Sequence, residues 1–180
     1  PMKLPLFDIY YAARLSYTSF QREGLMRNGR AEVIGAQSKG FGKQLYFVDP
    51  SIKAGIVYKI DGHNRLSFNA LAESRAPLAG YAYVAPRVKD TQIRGLKSEK
   101  VFSGDLTYQL NTSVVKGRVT AFFTEFRDGV ESSGYYHDEF RTYVNHTLSG
   151  VNKRHMGVEA GVSVKLNNSF TVSAAGTYGS

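Results

Sequence analysis

The chain has 180 residues, 42% of them hydrophobic, and 23 Lys and Arg against 15 Asp and Glu give a formal charge of +8. This composition excludes a disordered segment and suits one domain or a piece of a larger one. Cysteine is absent, which excludes disulfide frameworks, Cys-ligated zinc and thiol nucleophiles.

The 12 Tyr, 11 Phe and 18 Gly favour strands and turns over helices. No run reaches the ~18 apolar residues of a membrane helix, and no charged start with an apolar stretch marks a secretion signal. From Phe7 the odd positions read Phe7, Ile9, Tyr11, Ala13, Leu15 and Tyr17, and the even ones are mostly polar, which predicts a strand with one apolar face. A long link follows over 20–44. Segments 52–60 and 65–75 are weaker strands joined by the turn residues Asp61-Gly62-His63-Asn64. A helix over Phe68–Ala76 is the best helical candidate, but its apolar stripe is too thin and it meets Pro77. After a link over 76–98, segments 101–110 and 114–124 alternate again around the turn Asn111-Thr112-Ser113. Phe102, Leu106, Tyr108, Val119 and Phe123 take one face; Asp105, Thr107, Lys116, Arg118 and Thr120 take the other. A third long link is expected over 128–148. Val158, Ala160, Val162, Val164 and Leu166 then alternate without a break against Gly157, Glu159, Gly161, Ser163 and Lys165. Asn167-Asn168-Ser169 turns the chain into a last strand, Phe170 to Tyr178.

The reading is therefore all-β: an antiparallel up-and-down meander of about seven strands, longer than the usual five or six residues. Short turns fall at one end and long links at the other, with no domain boundary within 1–180. The apolar face needs a cover, which a second sheet or lipid supplies. Strand length, loop asymmetry and the strand-end Tyr17, Tyr58, Tyr108 and Tyr178 favour part of a transmembrane β-barrel with aromatic girdles. The alternative is a soluble β-sandwich module that recognises carbohydrate through Tyr81, Tyr83, Tyr135 and Tyr136.

In a barrel the polar positions line the lumen, so Arg14, Glu73, Arg75, Asp105, Arg118 and Glu159, with Arg87 from a long link, are the candidate ligand-binding residues. Lys116 and Lys165 share that face. Links 20–44 and 76–100 each carry a charge of +3, suited to anionic headgroups or an acidic ligand. His137, Asp138, Glu139 and His146 offer nitrogen and oxygen donors, but their spacing matches no established metal site. No nucleophile elbow, metalloprotease helix or phosphate loop occurs, and no enzyme and no cofactor is assigned. Lys39 to Phe47 has a partial likeness to an RNA-recognition strand but holds Lys43 where an aromatic is needed, so it reads as a Gly-rich loop entering a strand, and no nucleic-acid partner is assigned. The three Asn-x-Ser/Thr triplets at Asn111, Asn145 and Asn167 read as turn residues.

Several segments together resemble the TonB-dependent outer-membrane receptors of the Bacteroidetes type. They are Phe7-Asp8-Ile9-Tyr10-Tyr11-Ala12-Ala13, Lys53 to Gly62, Arg75-Ala76-Pro77 with Tyr83-Val84-Ala85-Pro86-Arg87, Gly95 to Lys100, and Gly150 to Glu159. The resemblance implies a barrel of about 22 strands occluded by a plug domain. It also implies location in the bacterial outer membrane, contact with outer-membrane lipid, and import of a scarce solute driven through the TonB complex. The chain is expected to be an internal slice of that barrel wall, without plug, TonB-contacting segment, leader or terminal aromatic, since it ends Tyr178-Gly179-Ser180.

Overall fold

The computed structural model describes residues 2–139 and 141–180. Its strands are β1 (Met2–Lys3), β2 (Phe7–Phe20), β3 (Glu23–Gly24), β4 (Gly40–Phe41), β5 (Leu45–Lys59), β6 (Asn64–Arg75), β7 (Glu99–Asn111), β8 (Val115–His137), β9 (Thr142–Lys165) and β10 (Thr171–Gly179). Eight form one antiparallel sheet in the order β1-β2-β5-β6-β7-β8-β9-β10, while β3 and β4 pair by themselves. Seven of them are long, as the alternation predicts, and the fold is an all-β antiparallel meander.

Register follows from the side-chain period of two, because a slip by one residue would turn every apolar side chain to the wrong face. One row runs Met2, Ile9, Ile56, Phe68, Leu106, Ala121, Val158, Tyr178 across all eight strands. The neighbouring row, one residue along, runs Lys3, Asp8, Val57, Ser67, Thr107, Thr120, Glu159, Thr177. The apolar face carries no second layer among the described residues: Tyr11 is 83% exposed, Leu15 73% and Ile52 59%. Phe7 to Tyr17 is ten residue steps, roughly 33 Å of strand, and a tilt of about 40° projects this to about 25 Å, the height of a lipid-facing band. Aromatic pairs close it at both ends, Phe7 on Tyr58 (5.0 Å) and Tyr17 near Tyr46 (6.4 Å).

The turns behave as their residues dictate. Asp61 Oδ1 accepts from the backbone of His63 and Asn64 at 2.7 Å each, Thr112 Oγ1 from Val115 at 2.8 Å, and Asn167 Oδ1 from Ser169 at 2.8 Å. Gly40-Phe41 is the short strand β4, and the chain enters β5 only at Leu45, as the Gly-rich stretch suggests.

The third long link is overturned. Residues 128–137 and 142–148 continue β8 and β9 as a paired hairpin, up to His137 opposite Thr142, with a bulge between Phe126 and Val130 where Asp128 takes φ 59°. Asn145 accordingly lies in a strand, and its side chain donates to Val84 O (3.3 Å).

The long connections have a packed centre of their own. Ala31, Ala82, Tyr83, Ile93 and Ser38 form the packed centre of links 20–44 and 76–98. Arg22 joins the two links, donating to Pro86 O (2.7 Å) and twice to Ser38 O (3.1 Å). A five-residue helix, α1 (Gly29–Val33), capped by the Asn28 side chain, completes this cap.

Candidate functional site

The polar face carries two groups of side chains. The first spans β2, β6, β7 and β8. Asp105 Oδ1 accepts from Asn69 Nδ2 (2.9 Å) and from the Thr107 hydroxyl (3.4 Å), and the Tyr10 hydroxyl donates to Asn69 Oδ1. On the other side Arg118 Nε donates to Thr120 Oγ1 (3.1 Å), whose oxygen lies 2.9 Å from Thr107 Oγ1. A hydroxyl has one proton to give. Since Thr107 spends its proton on Asp105, Thr120 donates to Thr107, and every donation in the chain runs toward the Asp105 carboxylate. Two buried threonines thus link Arg118 to Asp105 without contact between the charges. Glu159 sits opposite Thr120 in register, so carboxylate and guanidinium both border this chain.

The second group lies toward the long connections. Arg14 Nη2 stands 3.8 Å from Glu73 Oε2 with Arg14 65% exposed, a pair worth little energetically but free to rearrange. Arg75 sends Nε and Nη2 to the same Glu99 oxygen at 2.6 Å, and its guanidinium lies 5.7 Å from the centroid of Phe126. Opposite charges in register, Arg75 with Glu99, hold the ends of β6 and β7 together.

Arg87 is not brought to either group. It borders a separate recess of about 410 Å³ in the long connections, with Tyr81, Tyr83, Ser132, Ser133 and Asn145. The continued β8–β9 hairpin supports this recess: Ser149 donates to Arg94 O (2.6 Å) while Asn145 holds Val84 O. Tyr135 lies 6.2 Å from His137 and 6.5 Å from His146, ring to ring.

Sequence reasoning passed over Tyr10, Asn69 and Glu99. All three have the parity of the polar face, but Tyr10 and Asn69 carry no charge and Glu99 lies outside the expected strand 101–110.

The chain is similar in structure to the copper transporter OprC, with a TM-score of 0.74 and 16% identity, over 98% of this chain and 27% of that one. At that identity the likeness shows the fold. The chain spans about a quarter of the length of that protein. No family model and no curated protein matches the sequence.

Proposed function

We propose that residues 1–180 are a section of the wall of an outer-membrane active-transport barrel of the TonB-dependent receptor type. The observation that carries this reading is the uninterrupted apolar row from Met2 to Tyr178 lying exposed beside a polar row one residue away. An exposed apolar face of eight strands needs hydrocarbon, and a polar face bearing Asp105, Arg118 and Glu159 needs water. Only a barrel wall supplies both. The short turns then face the periplasm and the long connections the outside. The polar groups at Asp105–Arg118 and Arg14–Glu73 act as hydrogen-bond and charge partners for a solute crossing the lumen, and Arg87 meets it first in the outer recess. The likeness to a transporter barrel supports this role, and the residue pattern supports a plug and TonB coupling in the full-length protein.

Cysteines placed singly at Val158, Ala160 and Val162 in the full-length protein should react with a lipid-soluble maleimide, while those at Glu159 and Ser163 should react only with a water-soluble one. The inverse pattern rejects the barrel register.

A further inference from the structure

β8 continues outward past the end of its neighbour. β7 stops at Glu99, and the last pairing between the two strands is Lys100 with Arg127, whereas β8 runs on to His137 with β9 alone beside it. Both sheet neighbours of β8 lie within residues 1–180, so no further wall strand can take up the side that β7 leaves. Link 76–98 runs along that side without pairing to it. Its backbone bonds close within the link, Val84 N to Thr91 O (3.0 Å) and Ile93 N to Ala82 O (3.1 Å), or reach Gln37 O from Asp90 N (3.0 Å). Among the described residues none of them reaches 130–137. Alternate residues of an antiparallel pair turn N–H and C=O away from the partner, so this stretch of β8 presents a row of open donors and acceptors at strand spacing.

Between the link and this edge three recesses of about 420, 310 and 410 Å³ follow one another. Tyr81, 49% exposed, borders all three; Val130 is shared by the first two, and Ser132 and Ser133 by the last two. Successive residues of a strand face opposite sides, so a lining that takes Val130, Glu131, Ser132 and Ser133 together marks a cleft along an edge. Asp128 stands at its inner end and Gly134 at its outer end, six residue steps or roughly 20 Å apart. Arg87 is exposed at the outer end and, among the described residues, forms no ion pair.

We infer that this cleft takes a short peptide of about five or six residues as an added strand on the open edge of β8, with its terminal carboxylate on Arg87. The inference rests on the proposed role of the outer recess in meeting the solute, and it gives that solute a chemical class. A peptide backbone repeats N–H and C=O at the spacing of the edge, which a sugar ring does not, and main-chain pairing of this kind tolerates sequence. Ser132, Ser133 and Gly134 are small and leave room for the side chains of the guest. The guanidinium fork of Arg87 suits a carboxylate, and its position sets the direction, parallel to β8.

The test titrates the full-length protein in neutral detergent, by calorimetry, with four probes. They are the pentapeptide Ala-Thr-Ala-Thr-Ala, its C-terminal amide, an ester analogue in which oxygen replaces every peptide N–H, and maltopentaose. The free peptide should bind saturably, and the ester analogue, of the same shape but without backbone donors, about tenfold or more weaker. The amide should also bind several-fold weaker than the acid. In Arg87→Gln the acid should fall to the affinity of the amide while the amide keeps its wild-type affinity, which a misfolded variant cannot do. Absent binding of the peptide, equal binding of the ester analogue, an acid–amide difference that is missing or survives Arg87→Gln, or tighter binding of maltopentaose overturns the inference. The cysteine labelling at Val158 and Glu159 reads the barrel register independently. Intact labelling without peptide binding rejects this cleft and leaves the barrel reading standing, whereas inverted labelling rejects both.

Discussion

Gly55 and Gly157 both sit on the polar face under an aromatic ring from the neighbouring strand, but a methyl group at each would meet different obstacles. At Gly55 it would lie 2.4 Å from the Tyr10 ring and 2.6 Å from Asn69 Oδ1. Both belong to side chains that can swing away, at the expense of the Tyr10–Asn69 hydrogen bond and the cover the ring gives the bare backbone. At Gly157 it would lie 2.9 Å from Phe122 Cζ but also 2.5 Å from Tyr178 O and 2.9 Å from Gly179 Cα, which are backbone of β10 and cannot rotate clear. Gly55→Ala should therefore destabilise the protein by about 1–2 kcal/mol, and Gly157→Ala by about 2–3 kcal/mol as β10 is pushed off β9. Urea unfolding in detergent, followed by circular dichroism, checks the order. In a Tyr10→Ala background Gly55→Ala should become nearly neutral, and an additive double variant would contradict the ring-on-glycine account. The Arg118-to-Asp105 chain was half legible in the sequence: parity put Asp105, Thr107, Arg118 and Thr120 on one face. Only register shows that the two threonines carry the connection, because a hydroxyl acquires its role from the neighbour across the strand.

The β5–β6 hairpin is closed by a single carboxylate. Asp61 accepts from two backbone amides and from Asn64 Nδ2, each at 2.7 Å, and the Asn64 side chain first, then the two amides, hold its carboxyl below the usual range. A carboxyl depressed in the folded state contributes stability above the unfolded value, near 3.8, that is lost as the pH falls through the still lower folded value. The urea midpoint of the native protein should thus exceed that of Asp61→Asn at neutral pH, and the gap should close below about pH 4. A gap that stays constant down to pH 2 would show that the charge on Asp61 is not what holds the turn. Hairpin chemistry of this kind is local and could be read directly, as Asn111-Thr112-Ser113 and Asn167-Asn168-Ser169 also show. The β8–β9 continuation could not. From Glu131 to Tyr136 side chains of both parities are exposed, so Glu131, Ser132, Ser133 and Gly134 opposite Leu148, Thr147, His146 and Asn145 carry no apolar period although every residue is paired. Alternation reports burial of one face, and a strand wet on both sides leaves no such trace. The packed cap of Ala31, Ala82, Tyr83 and Ile93 leaves no trace in the sequence for a different reason: its contacts join segments some fifty residues apart with no shared period.

The molecule as a whole exposes 12802 Å², whereas a compact monomer of its 19.9 kDa exposes about 8,700 Å². The excess of about 4,000 Å² dwarfs the roughly 300–600 Å² apolar patch of a typical soluble monomer. It is accounted for by a one-layer sheet uncovered on both faces. The sheet also ends openly. Among the described residues, all nine of β10 are exposed with only β9 as neighbour, and β2 beyond Tyr10 has only β5. Two rows of unsatisfied backbone donors and acceptors beside a continuous apolar face make an aggregation template in water, and the same two edges are what adjoining strands of a barrel would pair. Residues 1–180 expressed in aqueous buffer should therefore sediment as heterogeneous aggregates and melt without a cooperative transition. The full-length protein extracted in detergent should instead unfold cooperatively and resist protease across β5 to β9. A clean monomer of residues 1–180 with a sharp two-state transition in detergent-free buffer would mean that the apolar face has found a cover within the chain. In that case the carbohydrate-recognising sandwich would become the better account of the exposed Tyr81, Tyr135 and Tyr136.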